Sequence, residues 1–378
     1  MKKLEDFKDE INKCSKCGLC QSVCPVYKET GNDCAVSRGK FVMLDGVLKG
    51  DLKLNKNINK YLDLCLKCNK CKDFCPSSID ICDIFTCAKS EYFKKSTAAK
   101  FISFIQSRFV FNNMIDLGDI FSSPFRKNFK KKGTTKLLYF KGCFNDIFPK
   151  VENAVKKVLM NYDVEIIEKN FDCCGLPFLS SGNIERFLQS IEHNLSIIPD
   201  DFDYFITDCA SCAHAIQEYK KYTDNEKIDK IISKSINIAE FIAKNPKKFS
   251  FKKPVKITFH KPCHMKNIDF LKPILENCDN VEYIEMKDYD ACCGFGGEFA
   301  IKNNKLSRAI SKRKAQNIKE SGADIVLTSC PGCAIGIRQG FLKQKTPKIM
   351  NIIEFLAMAQ NSVCHGNSIC GNLLISLH

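Results

Sequence analysis

Long apolar runs are missing from this sequence. No stretch of about 18 apolar residues occurs, so no membrane-spanning helix is expected. The opening residues, MKKLEDFKDEINK, contain nothing like the apolar core of a secretory signal. A phosphate-binding P-loop is absent, and the glycines of GFGGEF at 294–299 lack the spacing of a dinucleotide fingerprint. The chain is therefore expected to hold neither flavin nor nicotinamide. Aromatic-rich nucleic-acid recognition motifs are missing too, so the formal net charge of +15 does not point to DNA or RNA.

What is abundant is cysteine, at 24 of 378 residues. Disulfide scaffolds are short secreted chains, and this chain is neither short nor signal-led. A cytosolic, reducing compartment is expected, with most cysteines serving as thiolate ligands. Metal loading would also offset the basic charge. A cubane iron–sulfur cluster adds about two positive charges while its four cysteines lose about four protons, a change of roughly −2 per site.

Two cysteine runs stand near the start. They are Cys14-x2-Cys17-x2-Cys20-x3-Cys24-Pro25 and Cys65-x2-Cys68-x2-Cys71-x3-Cys75-Pro76. Three cysteines spaced by two residues can wrap one cubane face, and the proline turns the chain away. Structural zinc favours two separated pairs instead. In two-cluster ferredoxins the fourth cysteine serves the other cluster. That rule assigns Cys14, Cys17, Cys20 and Cys75 to one [4Fe–4S] cluster, and Cys65, Cys68, Cys71 and Cys24 to a second. Cys34, Cys82 and Cys87 fall outside the pattern and read as buried apolar thiols.

The rest of the chain repeats with a period of roughly 120 residues, which indicates duplicated domains. In each copy a strand-like run ends in cysteine, at Cys143 and at Cys263. A Cys-Cys-Gly follows, at 173–175 and at 292–294. A third strand then ends in C-x-x-C, at Cys209 and Cys212 and at Cys330 and Cys333. Strands alternating with helices predict βαβ units and parallel sheets, whose ligands sit at the carboxyl ends of strands. Each copy supplies five cysteines: Cys143, Cys173, Cys174, Cys209 and Cys212, then Cys263, Cys292, Cys293, Cys330 and Cys333. A cluster site in each copy is expected; redox disulfides or buried thiols are the competing reading. The segments are a ferredoxin-type domain at 1–95, a helical and basic linker at 96–135, cysteine-rich domains at 136–250 and 251–360, and a tail at 361–378. The predicted class is α+β with α/β parts: a helical two-cluster module followed by two tandem Rossmann-like domains.

This arrangement resembles the iron–sulfur subunit of glycolate oxidase. The lactate-utilisation iron–sulfur proteins, the anchor subunit of anaerobic glycerol-3-phosphate dehydrogenase and the catalytic subunit of heterodisulfide reductase are similar. VSRGK at 36–40, TDCASC at 207–212 and CCGFGG at 292–297 carry the likeness beside the cysteine runs. The resemblance implies a noncubane [4Fe–4S] cluster in each five-cysteine set, as in heterodisulfide reductase. It also implies an electron-transfer subunit of a glycolate or lactate dehydrogenase complex. An FAD-binding partner would oxidise the 2-hydroxyacid, and quinone or another carrier would take the electrons. A thiol–disulfide reductase and a glycerol-3-phosphate dehydrogenase subunit are the alternatives.

His260 and His264 flank Cys263 and read as structural strand-end histidines, ahead of a proton relay or a hydrogen bond to cluster sulfur. Phe101, Phe104, Ile105, Phe109 and Ile115 form an apolar stripe before FRKNFKKK at 125–132. An ordinary docking helix is expected there, with peripheral contact to the inner face of the cell membrane as the alternative. Cys364, His365 and Cys370 in the tail carry little metal signal.

Overall fold

A computed structural model of the chain describes residues 2–96, 131–147, 149–342 and 344–360. The apolar stripe at 101–121 and the tail with Cys364, His365 and Cys370 lie outside the described residues. No helix among the described residues is long and apolar enough to cross a membrane.

The N-terminal part is helical. Short helices carry the cysteine runs, and two longer ones, Ser37–Leu48 and Ile81–Lys95, support them. Their apolar faces enclose a small core of Leu4, Phe7, Phe41, Leu44, Leu62, Ile84 and Phe85. Gly39 lets helix Ser37–Leu48 lie directly against the backbone at Asp33 and Cys34, where a Cβ would collide. That close approach explains the glycine of the VSRGK segment.

Two four-stranded parallel sheets follow. The first contains β1 (Thr135–Phe140), β2 (Val164–Glu168), β3 (Tyr204–Thr207) and β4 (Ser235–Asn237), in the order β2-β1-β3-β4. The second contains β5 (Phe249–Phe259), β6 (Cys278–Tyr283), β7 (Ile325–Thr328) and β8 (Lys348–Asn351), in the order β6-β5-β7-β8. β1, β3, β5 and β7 coincide with the strand-like runs that lead to Cys143, Cys209, Cys263 and Cys330. β4 and β8 do not, because SIN and KIMN are too short to show a period. Each leads into a helix capped by its own asparagine. The Asn237 side chain accepts from the Ala239 amide, and Asn351 accepts from Ile353.

In both sheets the connections reverse direction beside the central pair, between β1 and β3 and between β5 and β7. Open α/β sheets bind ligands outside the carboxyl ends of strands at such a switch point. Cys143 and Cys209 follow the strands flanking the first switch point, and Cys263 and Cys330 follow those flanking the second.

The two copies share their cores. Phe140, Phe187 and Phe205 of the first copy belong to one apolar cluster with Phe295, Val326 and Ile337 of the second. Leu137, Tyr139 and Val155 join Phe259, Ile353 and Phe355 in another. The helical module is tied to the second copy by a buried ionic hub. Lys89 reaches Asp63 at 2.7 Å and Glu298 at 3.4 Å, while Lys302 reaches Asp63 at 2.9 Å and Glu298 at 2.7 Å.

Burial works against the Asp63 charge, but Lys89 and Lys302 outweigh it and hold its carboxyl below the usual range. A depressed carboxylate pKa stabilises the fold above the ordinary aspartate range, and that stabilisation is lost as pH falls through the folded value. Asp63→Asn is expected to cost about 3 kcal/mol at pH 7, because it leaves the buried Lys89 ammonium undercompensated. Anaerobic thermal melts of wild type and variant measure this, and an unchanged midpoint would show the hub to be dispensable.

Candidate metal centres

Each ferredoxin-type loop bends through two left-handed residues. Lys16 (φ 58°) and Gly18 (φ 87°) do this in the first loop, and Lys67 (φ 51°) and Asn69 (φ 60°) at the matching places in the second. Left-handed backbone costs a lysine about 1–3 kcal/mol, so the surrounding structure must over-determine it. The bends let three successive cysteines face one small cavity.

Two such cavities exist, each of about 30 Å³. Cys14, Cys17, Cys20 and Cys75 border one, with Cys71 on its edge. Cys24, Cys65, Cys68 and Cys71 border the other, with Cys82. Each cavity thus combines three cysteines of one run with the fourth of the other. VSRGK serves both: Ser37 borders the two cavities, Arg38 the first and Lys40 the second. Lys40 is buried and donates to the Ala35 carbonyl at 2.5 Å, placing a cation beside Cys24 and Cys65.

The third cavity is larger, about 280 Å³, and lies where the helical module meets both sheets. All ten cysteines of the two five-cysteine sets line it. Neighbouring thiols there form one continuous series. It runs Cys143, Cys173, Cys174, Cys212, Cys209, and then crosses to the second copy through Cys330, Cys333, Cys293 and Cys292. Cys263 stands beside Cys293 and Cys330. Neighbouring thiols and burial push Cys143 and Cys292 upward. Hydrogen bonds received from neighbouring thiols hold Cys173, Cys293 and Cys330 down.

Every described cysteine is a free thiol. Ten thiolates confined together would be prohibitive without cations. A soft-sulfur donor set of this density fits iron–sulfur clusters.

The unassigned cysteines separate. Cys87 is buried and donates to the Lys2 carbonyl. Cys34 is only half-buried. Cys82 differs from the expected inert thiol, because it hydrogen-bonds to Cys65 and lines both the second small cavity and the large one. Leu66 and Asn69 share that dividing wall. Sequence spacing hides Cys82, since helix Ile81–Lys95 brings it in from outside the motif.

Other polar groups also face the large cavity. His264 contacts Ser211 Oγ through Nδ1 at 3.1 Å and the Lys67 carbonyl through Nε2 at 3.3 Å. Its ring stacks on His214 with centroids 4.5 Å apart. Ser211 is also 3.4 Å from Cys330 Sγ. Burial lowers both histidines, His214 to about 3, so both rings are neutral at pH 7. Lys67 extends its ammonium to Thr86 at 2.7 Å and the Leu179 carbonyl at 3.2 Å.

Comparison with known proteins agrees with this geometry. Residues 10–79 match the 4Fe–4S dicluster domain, and residues 137–217 and 257–338 each match the cysteine-rich CCG domain. The chain is an iron–sulfur electron-transfer protein with paired cysteine-rich domains. It binds 4Fe–4S clusters. One of the subunits of the fumarate reductase (CoM/CoB) of Methanothermobacter marburgensis is 25% identical over 375 residues, covering 94% of this chain and 74% of the relative. The probable glycolate oxidase iron–sulfur subunit of Bacillus subtilis is 22% identical over 401 residues, covering 89% of this chain and 90% of the relative. Lactate utilization protein A of Lysinibacillus sphaericus is 28% identical over 196 residues, covering 49% of this chain and 86% of the relative. A hypothetical protein from Helicobacter pylori shares the fold at a TM-score of 0.55 and 11% identity, over 85% of this chain and 68% of that one.

Gly294 shows how tightly the large cavity's wall is built. It sits at φ +86°, and an added Cβ would lie 2.7 Å from the Ser307 carbonyl oxygen. Ser307 and Ser311 also donate to the Gly294 and Cys293 carbonyls at 2.8 Å, fixing the Cys-Cys-Gly turn. Gly294→Val is expected to cost about 2–4 kcal/mol through left-handed strain and overpacking. Iron should be lost from the second set while the ferredoxin-type signals persist. Iron analysis with low-temperature electron paramagnetic resonance checks this; full iron retention would count against a rigid turn.

Proposed function

We propose that this iron–sulfur subunit exchanges electrons with a small thiol–disulfide couple in the ten-cysteine cavity. The helical module would link that cavity to a redox partner. The carrying observation is the convergence of both complete five-cysteine sets on one cavity of about 280 Å³. In this reading Cys14, Cys17, Cys20 and Cys75 hold one cubane, and Cys65, Cys68, Cys71 and Cys24 hold the other. Cys143, Cys173, Cys174, Cys209 and Cys212 hold a further cluster, as do Cys263, Cys292, Cys293, Cys330 and Cys333. Bound clusters supply one-electron transfers.

Cleaving a disulfide consumes two electrons and two protons and releases two thiols. The chain's own residues suit the proton side of that balance. Ser211 and the neutral His264 form a protic pair beside Cys330. Leu66, Leu176, Leu179 and Phe295 give part of the cavity wall an apolar surface. Lys67 offers a cation to an anionic substituent on the substrate.

A second reading is favoured by the relatives named for glycolate oxidase and lactate utilization. There a partner flavoprotein would take the electron pair from a 2-hydroxyacid, and this chain would conduct the electrons onward to quinone or another carrier. Removing an electron pair from an alcohol carbon needs a two-electron acceptor such as flavin.

The two readings separate in one anaerobic experiment. The purified chain, photoreduced and mixed with a panel of low-molecular-weight disulfides, is expected to reoxidise and release thiol without a flavoprotein. No reoxidation, together with cluster reduction by glycolate or lactate once an FAD-binding partner is added, would establish the second reading. Cys20→Ser is expected to abolish one of two cubane signals in electron paramagnetic resonance. Survival of both signals would overturn the ligand assignment.

A further inference from the structure

One of the positions at which the two cysteine-rich copies differ stands beside Cys293 and Cys333 in the second copy. Phe140 ends β1, three residues before Cys143, and pairs with Thr207, two residues before Cys209. In the second copy Phe259 pairs with Leu327. The next step of that register sets His260 opposite Thr328, two residues before Cys330. His260 is three residues before Cys263. The two positions are therefore structurally equivalent, and one holds phenylalanine where the other holds histidine.

Their surroundings differ accordingly. Phe140 packs on Phe171 and Phe205, with ring centroids 4.9 and 5.8 Å away. His260 is 1% exposed, and neither ring nitrogen has a hydrogen-bond partner among the described residues. A buried imidazole without a partner is costly, so an unfilled role at that ring is implied. Cys293 is its nearest polar neighbour, with Sγ within 4.8 Å of a ring nitrogen. The ligating atoms of His260, Cys293 and Cys333 lie within 4.8 Å of one another, a spacing one metal ion can span. A further asymmetry is electrostatic. Lys314, buried behind Cys293, donates to the carbonyls of Asp288 and Tyr289 at 2.7 and 3.1 Å. In the first copy the buried side chain bracing the Cys-Cys turn is the neutral Asn194, which donates to the Cys173 carbonyl.

We propose that His260 is a sixth protein ligand of the second site, binding iron through a ring nitrogen, so that the two cysteine-rich domains hold inequivalent centres. The inference rests on cluster binding by the second five-cysteine set. A neutral nitrogen ligand places less negative charge on the metal than a thiolate does, and histidine ligation raises iron–sulfur reduction potentials. The buried Lys314 ammonium acts in the same direction. Electrons entering the cavity would therefore settle on the second copy before the first.

The test uses the full chain, purified anaerobically from cells fed 15N-histidine. Pulsed electron paramagnetic resonance of the non-ferredoxin signal is expected to show a strong 15N coupling of a directly bound imidazole. His260→Phe should abolish that coupling and lower the midpoint potential of the second site. This variant installs the residue the first copy carries at the same place, so the fold has a precedent for it. His260→Asn is a smaller companion change that should lose the coupling as well. Iron in excess of the ferredoxin module with no strong nitrogen coupling in wild type would overturn the proposal. Coupling that survives in both variants would also overturn it. Iron limited to about eight atoms per chain, two cubanes' worth, would instead remove the cluster reading on which the proposal stands, and the proposal with it.

Discussion

Everything in this molecule is arranged around the problem of holding many thiols close together. Ten cysteines of the two repeats line one cavity, and nine others, Cys82 among them, border the two small cavities beside it. Unloaded, those thiols must stay mostly protonated, because burial and mutual repulsion oppose a second charge beside the first. The few held low, such as Cys173 and Cys293, owe this to hydrogen bonds from neighbouring thiols. Loaded with iron, the same crowding becomes an ideal donor set. Metal loading would release those protons and compensate the resulting thiolate charge.

The sequence made a good part of this legible. The Cys-Pro runs announce a two-cluster module through spacing alone, because the wrapping of a cubane is local. The strands ending in Cys143, Cys209, Cys263 and Cys330 are readable because apolar runs and turn residues are local as well. The meeting of the two five-cysteine sets on one cavity is not readable in that way. It depends on the contact between Cys209 and Cys330, which are 121 positions apart, and on the shared cores. Cys82, Ser211 and His214 are hidden for the same reason. No spacing rule links them to the motifs they touch. β4 and β8 escape a periodicity search because three or four residues carry no period, although the asparagine cap after each is a signal that can be searched for.

The helical module is held against the sheets by an apolar seam, in which Val26, Ala35 and Leu66 pack with Phe299 and Ile310, and by charge. The Asp63 hub, the Lys70–Asp290 pair at 2.6 Å and the Arg313–Glu29 pair at 2.7 Å all connect it to the second copy. The Lys221–Asp83 pair at 2.8 Å connects it to the first. Exposed pairs of this kind add little stability, but Lys89, Asp63 and Glu298 are well buried and fix orientation at the cost of desolvation. Orientation is what electron transfer requires. Cys82, Leu66 and Asn69 line both the second small cavity and the large one, so the placement of the module sets the spacing between them.

Duplication would by itself produce two equal sites. Equal sites facing one cavity give electrons no preferred place, whereas sequential one-electron steps benefit from a defined order. The copies have diverged where order could be set: Phe140 against His260, and Asn194 against Lys314. Elsewhere they keep the same architecture, down to the asparagine caps at Asn237 and Asn351. Asn351 further donates to the Asp208 carbonyl, next to Cys209, so the last strand of the second copy braces a cysteine loop of the first. Asp208 also accepts from Tyr139 at 2.5 Å and Asn145 at 2.7 Å, which fixes that loop from its own side. The first site thus has a braced loop beside Cys209, and the second has the His260 ring and the Lys314 ammonium near its cysteines. A shared scaffold with divergent surroundings is the least costly way for one fold to present two one-electron centres of different potential to a single substrate.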